Sequence, residues 1–178
     1  MRNFPGVQIP QAFQPAIIPK DVPGLGLRNL ALQIFSSNIF RPSGKKTFCN
    51  LFVSLFFHRL GYSKFNGLLA SEIVKRATSS ADFIEVEISE AITASRSGRV
   101  LFAGVDGVPH GHVCILLNSL PSFSPSFDRF VPHCVNVGRS YKWDVPVSLA
   151  FKKMPHFFML QDAAMPSGYL SRLILPGK

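Results

Sequence analysis

The sequence is short of several things that would mark out a class of protein. Acidic residues number 10 against 19 Lys and Arg, and only 16% of the 178 residues are charged. Half of those acids crowd between Glu72 and Glu90, which leaves little material for catalysis by paired carboxylates. Cysteine occurs three times, at positions 49, 114 and 134. That is too few for a disulfide framework, and the odd count leaves at least one thiol without an intrachain partner. No apolar run approaches the roughly 20 residues of a membrane helix, since the longest, residues 51–57, is broken by Ser54. The N-terminus also lacks the apolar helical stretch of a secretory signal, because Pro5, Pro10, Pro15, Pro19 and Pro23 interrupt it. Action outside a cell is therefore expected to need another export route or a leader beyond this sequence. Phosphate-loop and dinucleotide motifs are missing too. Gly24-Leu25-Gly26 has no strand before it, no third glycine and no Lys-Ser/Thr after it. The basic residues are dispersed, with no zinc-finger or RNP-like pattern, which argues against nucleic acid as the partner.

What the chain has is apolar mass and positive charge. Hydrophobic residues make up 47%, Phe alone occurs 17 times, and the net charge is +9. This composition belongs to a folded domain with a sizeable core. The charge favours an anionic partner. Residues 1–42 read as a proline-rich arm (1–26) followed by a short helix (27–40), and residues 43–178 as the main domain, which is taken to be a monomer. Residues 49–60 carry the strongest period: Cys49, Phe52, Val53, Phe56, Phe57 and Leu60 lie on one helical face. Leu51 and Leu55 make the other side apolar, so the helix is expected at the centre of the domain. Thr47 is the expected N-cap and Gly61 the stop. Further helices are expected over 67–77, with a Glu72–Arg76 ion pair, and over 89–97, capped by Ser89 and ended by Gly98. Strands follow at 100–105, 112–117 and 133–137, with weaker elements at 145–151 and 157–160, and 118–131 reads as a loop. Helices first and strands after make an α+β order.

Cys49 falls in the first turn of the buried helix. There the helix dipole, with Lys45 and Lys46 just upstream, is expected to lower its pKa and make it a nucleophile. Cys114 and Cys134, in strands, read as core fillers. A cysteine nucleophile needs a base, and His112 is the first choice because the strand after it fixes its direction. Asn136, one strand later, is placed to hold the imidazole tautomer, with His133 as the other candidate for that role. His110, His112, Cys114 and Cys134 are zinc-ligand types, but they lack a CxxC or HExxH spacing. No metal or cofactor is expected.

At these residues the sequence resembles a known group. Thr47-Phe48-Cys49-Asn50-Leu51-Phe52-Val53 is similar to the Cys-Asn-x-Phe-Val helix start of the papain-like NlpC and CHAP superfamily of cysteine peptidases and amidases. Gly98 to Gly104 followed by His110-Gly111-His112-Val113 resembles its first two core strands. Val135-Asn136-Val137-Gly138 resembles the segment that carries its polar third residue. The likeness spans residues 43–151. It implies a papain-like fold, with N-terminal helices packed on a small antiparallel sheet and the nucleophile at the start of a buried central helix. It also implies a Cys49–His112–Asn136 triad that hydrolyses amide bonds in peptidoglycan stem peptides. The partner would be an anionic wall polymer, met at a cell wall or in a periplasm, and the origin bacterial or phage. Two other uses of the same fold stand beside this: a non-catalytic module that binds wall polymer or nucleic acid, and a protein acyltransferase or deamidase effector.

Overall fold

The computed structural model describes residues 25–44, 46–107 and 111–164. The expected arm therefore lies outside the described residues up to position 24, as do Lys45 and His110. Along the chain run α1 (Leu25–Ser36), α2 (Cys49–Arg59), α3 (Ala70–Ser79), β1 (Phe83–Val86), α4 (Ile88–Arg96), β2 (Leu101–Val105) and β3 (His112–Leu116). They are followed by β4 (Ser122–Ser124), β5 (Arg129–Val131), β6 (His133–Val137), β7 (Tyr141–Pro146) and β8 (His156–Leu160). Six strands form one sheet in the order β1-β8-β2-β3-β6-β7, with every neighbouring pair antiparallel. Strands β4 and β5 form a separate hairpin. The class is α+β, and the sheet is larger than the small one expected.

Helix α2 sits against the sheet because nearly all of its surface is apolar. Phe52, Val53, Phe56 and Phe57 are at most 1% exposed, each burial contributing roughly 1.5–3 kcal/mol. Ser54, which interrupts the apolar run, donates its hydroxyl to the Phe65 carbonyl at 2.8 Å, so its burial leaves no unpaired polar group. Around Phe57 the rings of Tyr62, Phe65, Phe83 and Phe102 pack edge-on with centroids 5.0–5.9 Å apart, which accounts for much of the phenylalanine surplus. Gly61, at φ 88°, ends the helix in the left-handed conformation that favours glycine.

Alternation along the central strands divides the core into two layers. Val113, Ile115, Val135 and Val137 face α1, α2 and α3, while Cys114, Leu116 and Cys134 face α4, Val147 and Phe151. Leu27, Ala31 and Ile34 place α1 inside the first of these cores.

Several local expectations need correcting. Phe48, not Thr47, is the N-cap of α2, and it makes no side-chain cap bond. Glu87, not Ser89, precedes α4. Glu72 accepts the Leu69 backbone N–H at 2.7 Å, so its carboxylate closes the start of α3. The segment 118–131 contains the β4–β5 hairpin, whose Phe123 and Phe130 pair across the strands while both rings stay exposed. Strand β7 begins at Tyr141 and gives way to a 3₁₀ turn at Val147–Leu149, because Pro146 supplies no further ladder donor.

Candidate active site

The start of α2 brings three features together at Cys49. Phe52 N–H is bonded to the Phe48 carbonyl, so the amides of the first turn ahead of it have no intrahelical acceptor. The amides of Cys49 and Asn50, and that of Val113 from β3, lie near enough to the Cys49 sulfur to favour its thiolate. Asn50 donates through Nδ2 to the Leu68 carbonyl at 2.9 Å, which ties the helix start to the segment leading into α3. The sulfur therefore lies against β3 at the residue next to His112. Cys49 is 4% exposed. Burial pushes its pKa above the ordinary value, and the three amides recover only part of that. This reverses the expectation of a lowered value, since desolvation at the site outweighs the partial charge of one helix end.

His112 opens β3, directly after a glycine held in place by α3. The Gly111 N–H donates to Ser71 Oγ at 3.0 Å, and Ser71 Oγ donates to the Gly107 carbonyl at 3.2 Å. A Cβ on Gly111 would lie 2.6 Å from the Val105 carbonyl oxygen and 2.8 Å from Ser71 Oγ, so only glycine fits. The His112 ring packs on Phe151, centroids 5.0 Å apart. Its Nε2 lies 3.0 Å from Asn136 Oδ1. Asn136 Nδ2 donates to Ser140 Oγ at 2.9 Å, so both ends of the amide are engaged, with the oxygen on the imidazole side. With the amide oxygen on that side, the neutral ring carries its proton on Nε2 and keeps its lone pair on Nδ1. Burial holds the His112 pKa below the ordinary histidine value, and the Asn136 bond works against that shift. The ring is neutral near pH 7 and able to take a proton.

The chain matches no protein-family model, and no curated protein matches it.

His112 and Asn136 line a cleft of about 760 Å³ together with Gly138, Arg139, Phe151 and Lys152. Among the described residues its wall holds two cations, Arg139 and Lys152, and no acid. Thr47, two residues before Cys49, also lines it. Gly138 makes room for the pair, since a Cβ there would sit 2.9 Å from both His112 Cε1 and Asn136 Oδ1. Of the residues singled out from sequence, the structure joins His112 to Asn136 and sets Cys49 against the backbone beside them.

It does not bring His133 to this site. That ring is bonded to Ser122 and Asp144, and an odd number of positions from Asn136 puts it on the other face of β6. Cys114 and Cys134 are at most 1% exposed, and their sulfurs interact with each other in the core. His58 and His156 are exposed, with His156 paired to Glu85. Ser71, Gly138, Ser140 and Phe151 support the site without having been singled out. Gly138 enters the sequence reading only as the last residue of the segment that carries Asn136, and the other three carry no local sequence signal.

Proposed function

We propose that this chain is a cysteine-dependent amidase or endopeptidase with a papain-like fold of the NlpC/CHAP type, cutting amide bonds in peptidoglycan stem peptides. The observation that carries the reading is the bond from His112 Nε2 to Asn136 Oδ1, with the other end of the amide bonded to Ser140. It leaves Nδ1 as the only basic atom of a neutral ring, at the strand end where the Cys49 sulfur meets Val113. Because burial raises the thiol and lowers the imidazole, the resting pair is uncharged. His112 Nδ1 takes the thiol proton as the sulfur attacks the amide carbonyl, acting as a general base rather than as half of a standing ion pair. The Cys49 N–H faces the developing oxyanion. Nδ1 then gives its proton to the departing amine, and water attacks the thioester to release the acid. Arg139 and Lys152, with no acid beside them among the described residues of the cleft wall, suit a substrate that carries carboxylates, as stem peptides do.

The test is digestion of purified peptidoglycan. The wild-type chain is expected to release new amino groups and Cys49→Ser to release none. Equal release by the two, or none by the wild type, contradicts the proposal. One observation favours a second reading, a non-catalytic polymer-binding module: the thiol is almost fully covered. Salt-sensitive binding of wall polymer that survives Cys49→Ala, with no turnover, would select it.

A further inference from the structure

On the other face of β6, a second set of side chains has the connectivity of an activated serine. Ser122 Oγ lies 2.7 Å from His133 Nε2, and His133 Nδ1 lies 2.9 Å from Asp144 Oδ1. A carboxylate can only accept, so Nδ1 carries a proton, and in the neutral ring Nε2 accepts from the Ser122 hydroxyl. Asp144 is held from three sides: Oδ1 also takes the Ser119 hydroxyl at 2.8 Å, and Oδ2 takes Arg28 Nη2 at 2.6 Å. Burial pushes this carboxyl up, but the bonds from Arg28, Ser119 and His133 outweigh it and keep the group ionised.

The backbone is shaped to make this contact. Between β6 and β7 the register shifts, so that Trp143 and Asp144 both stand against Val135, and Asp144 takes a left-handed φ of 52°. A bulge of this kind re-aims a side chain that regular alternation would send elsewhere. Strands β4 and β6 supply the hydroxyl and the ring. The three groups open on a shallow cleft of about 450 Å³, walled on one side by Pro121 and by Leu120, which is 72% exposed.

We propose that Ser122, with His133 as its base and Asp144 as the orienting carboxylate, is a nucleophilic serine that takes acyl groups from small uncharged esters, the acyl chain resting on Leu120 and Pro121. Nucleophile, base and orienter meet the distances such a unit requires. In the step, Ser122 Oγ bonds to the acyl carbon and its proton passes to His133 Nε2. The ester C–O bond breaks, and the departing alkoxide leaves as the alcohol with that proton. Arg28 is engaged by Asp144 and Ser119, which leaves the cleft without a cation committed to substrate and favours an uncharged ester. The site shares no side chain with the Cys49–His112–Asn136 constellation, so it stands or falls separately from the amidase reading.

The test treats the full chain with a fluorophosphonate probe, which bonds serine oxygen to phosphorus and expels fluoride, and then locates the adduct by tandem mass spectrometry. Ser122 is expected to be tagged about 10²-fold faster in the native chain than in the same chain unfolded in urea, the lower end of what a positioned base supplies. His133→Ala is expected to abolish that advantage and Asp144→Asn to reduce it. Tagging of native Ser122 no faster than in the unfolded chain overturns the proposal, and that comparison needs no variant. So does undiminished tagging in a His133→Ala chain with a wild-type circular dichroism spectrum, which would leave these bonds as a clamp joining α1, the hairpin and β7.

Discussion

Gly138→Ala isolates the geometry of the His112–Asn136 pair. The glycine does not have a positive φ, so alanine meets no backbone penalty and the only new term is its methyl group. That methyl would lie 2.9 Å from His112 Cε1 and 2.9 Å from Asn136 Oδ1, whereas ordinary contact begins at 3.4 Å. It wedges between the two groups, and each must retreat by about 0.5 Å. The bond at 3.0 Å is thereby stretched toward the limit at which it stops fixing the tautomer. If a misplacement of 1 Å costs about 10²-fold in rate, half of that costs about tenfold. Overpacking by one methyl costs roughly 1–3 kcal/mol, offset by about 0.4–1 kcal/mol from the narrower unfolded ensemble, so the chain stays folded. Peptidoglycan hydrolysis by Gly138→Ala should fall about tenfold, and nitrogen-resolved NMR should show His112 passing from a single Nε2–H tautomer to a mixture. Hydrolysis within about twofold of wild type, with the tautomer intact, would mean that the pair does not set the rate.

Three further outcomes follow from the same residues. Because His112 lies below the ordinary histidine value near 6.5 and Cys49 above the ordinary thiol value of 9.0, hydrolysis should show a broad plateau across neutral pH. It should fall on the acid side only once His112 is protonated below 6.5; a midpoint above 6.5 in the pH–rate profile counts against the uncharged pair. The same depression makes folding stability rise with pH through that window, since the unfolded chain binds the proton first. Asn136→Ala removes the interaction that raises His112, so the ring's NMR titration midpoint should move lower. Stability should also drop by about 1–3 kcal/mol from the partners left unpaired; an upward movement would contradict the assignment. Gly111→Ala drives a methyl into the Val105 carbonyl and Ser71, and urea unfolding should show a loss of roughly 1–3 kcal/mol. No change there would mean that the β2–β3 turn yields freely.

The sequence was most informative where local pattern and burial agree. Helix α2 was legible because its apolar residues recur on both faces, and β3 and β6 because each is a short β-rich run beside a glycine. That was enough to put Cys49, His112 and Asn136 at the ends of three particular elements. Strand β1 was missed because its burial alternates poorly, with two exposed residues between two buried ones. The β4–β5 hairpin was missed because its aromatic pair stabilises the strands from outside the core. The Cys49 pKa was misjudged for a related reason. The helix end is visible locally, but the desolvation that outweighs it comes from the sheet packed on top. Ser71 and Ser140 act through register and turn geometry, which residue type alone does not reveal. Of the two candidates for a third residue, strand parity puts Asn136, and not His133, on the face of β6 that meets His112.

The central claim is that His112 activates Cys49 and neither of the other thiols. Site-resolved alkylation of the native chain by iodoacetamide near neutral pH tests it most directly, with Cys49, Cys114 and Cys134 followed separately by mass spectrometry. Cys49 should react about 10²-fold faster than the other two and lose that lead in His112→Ala. If all three thiols react equally slowly, or if Cys49 keeps its rate without the imidazole, Cys49 is a core residue and the amidase proposal fails.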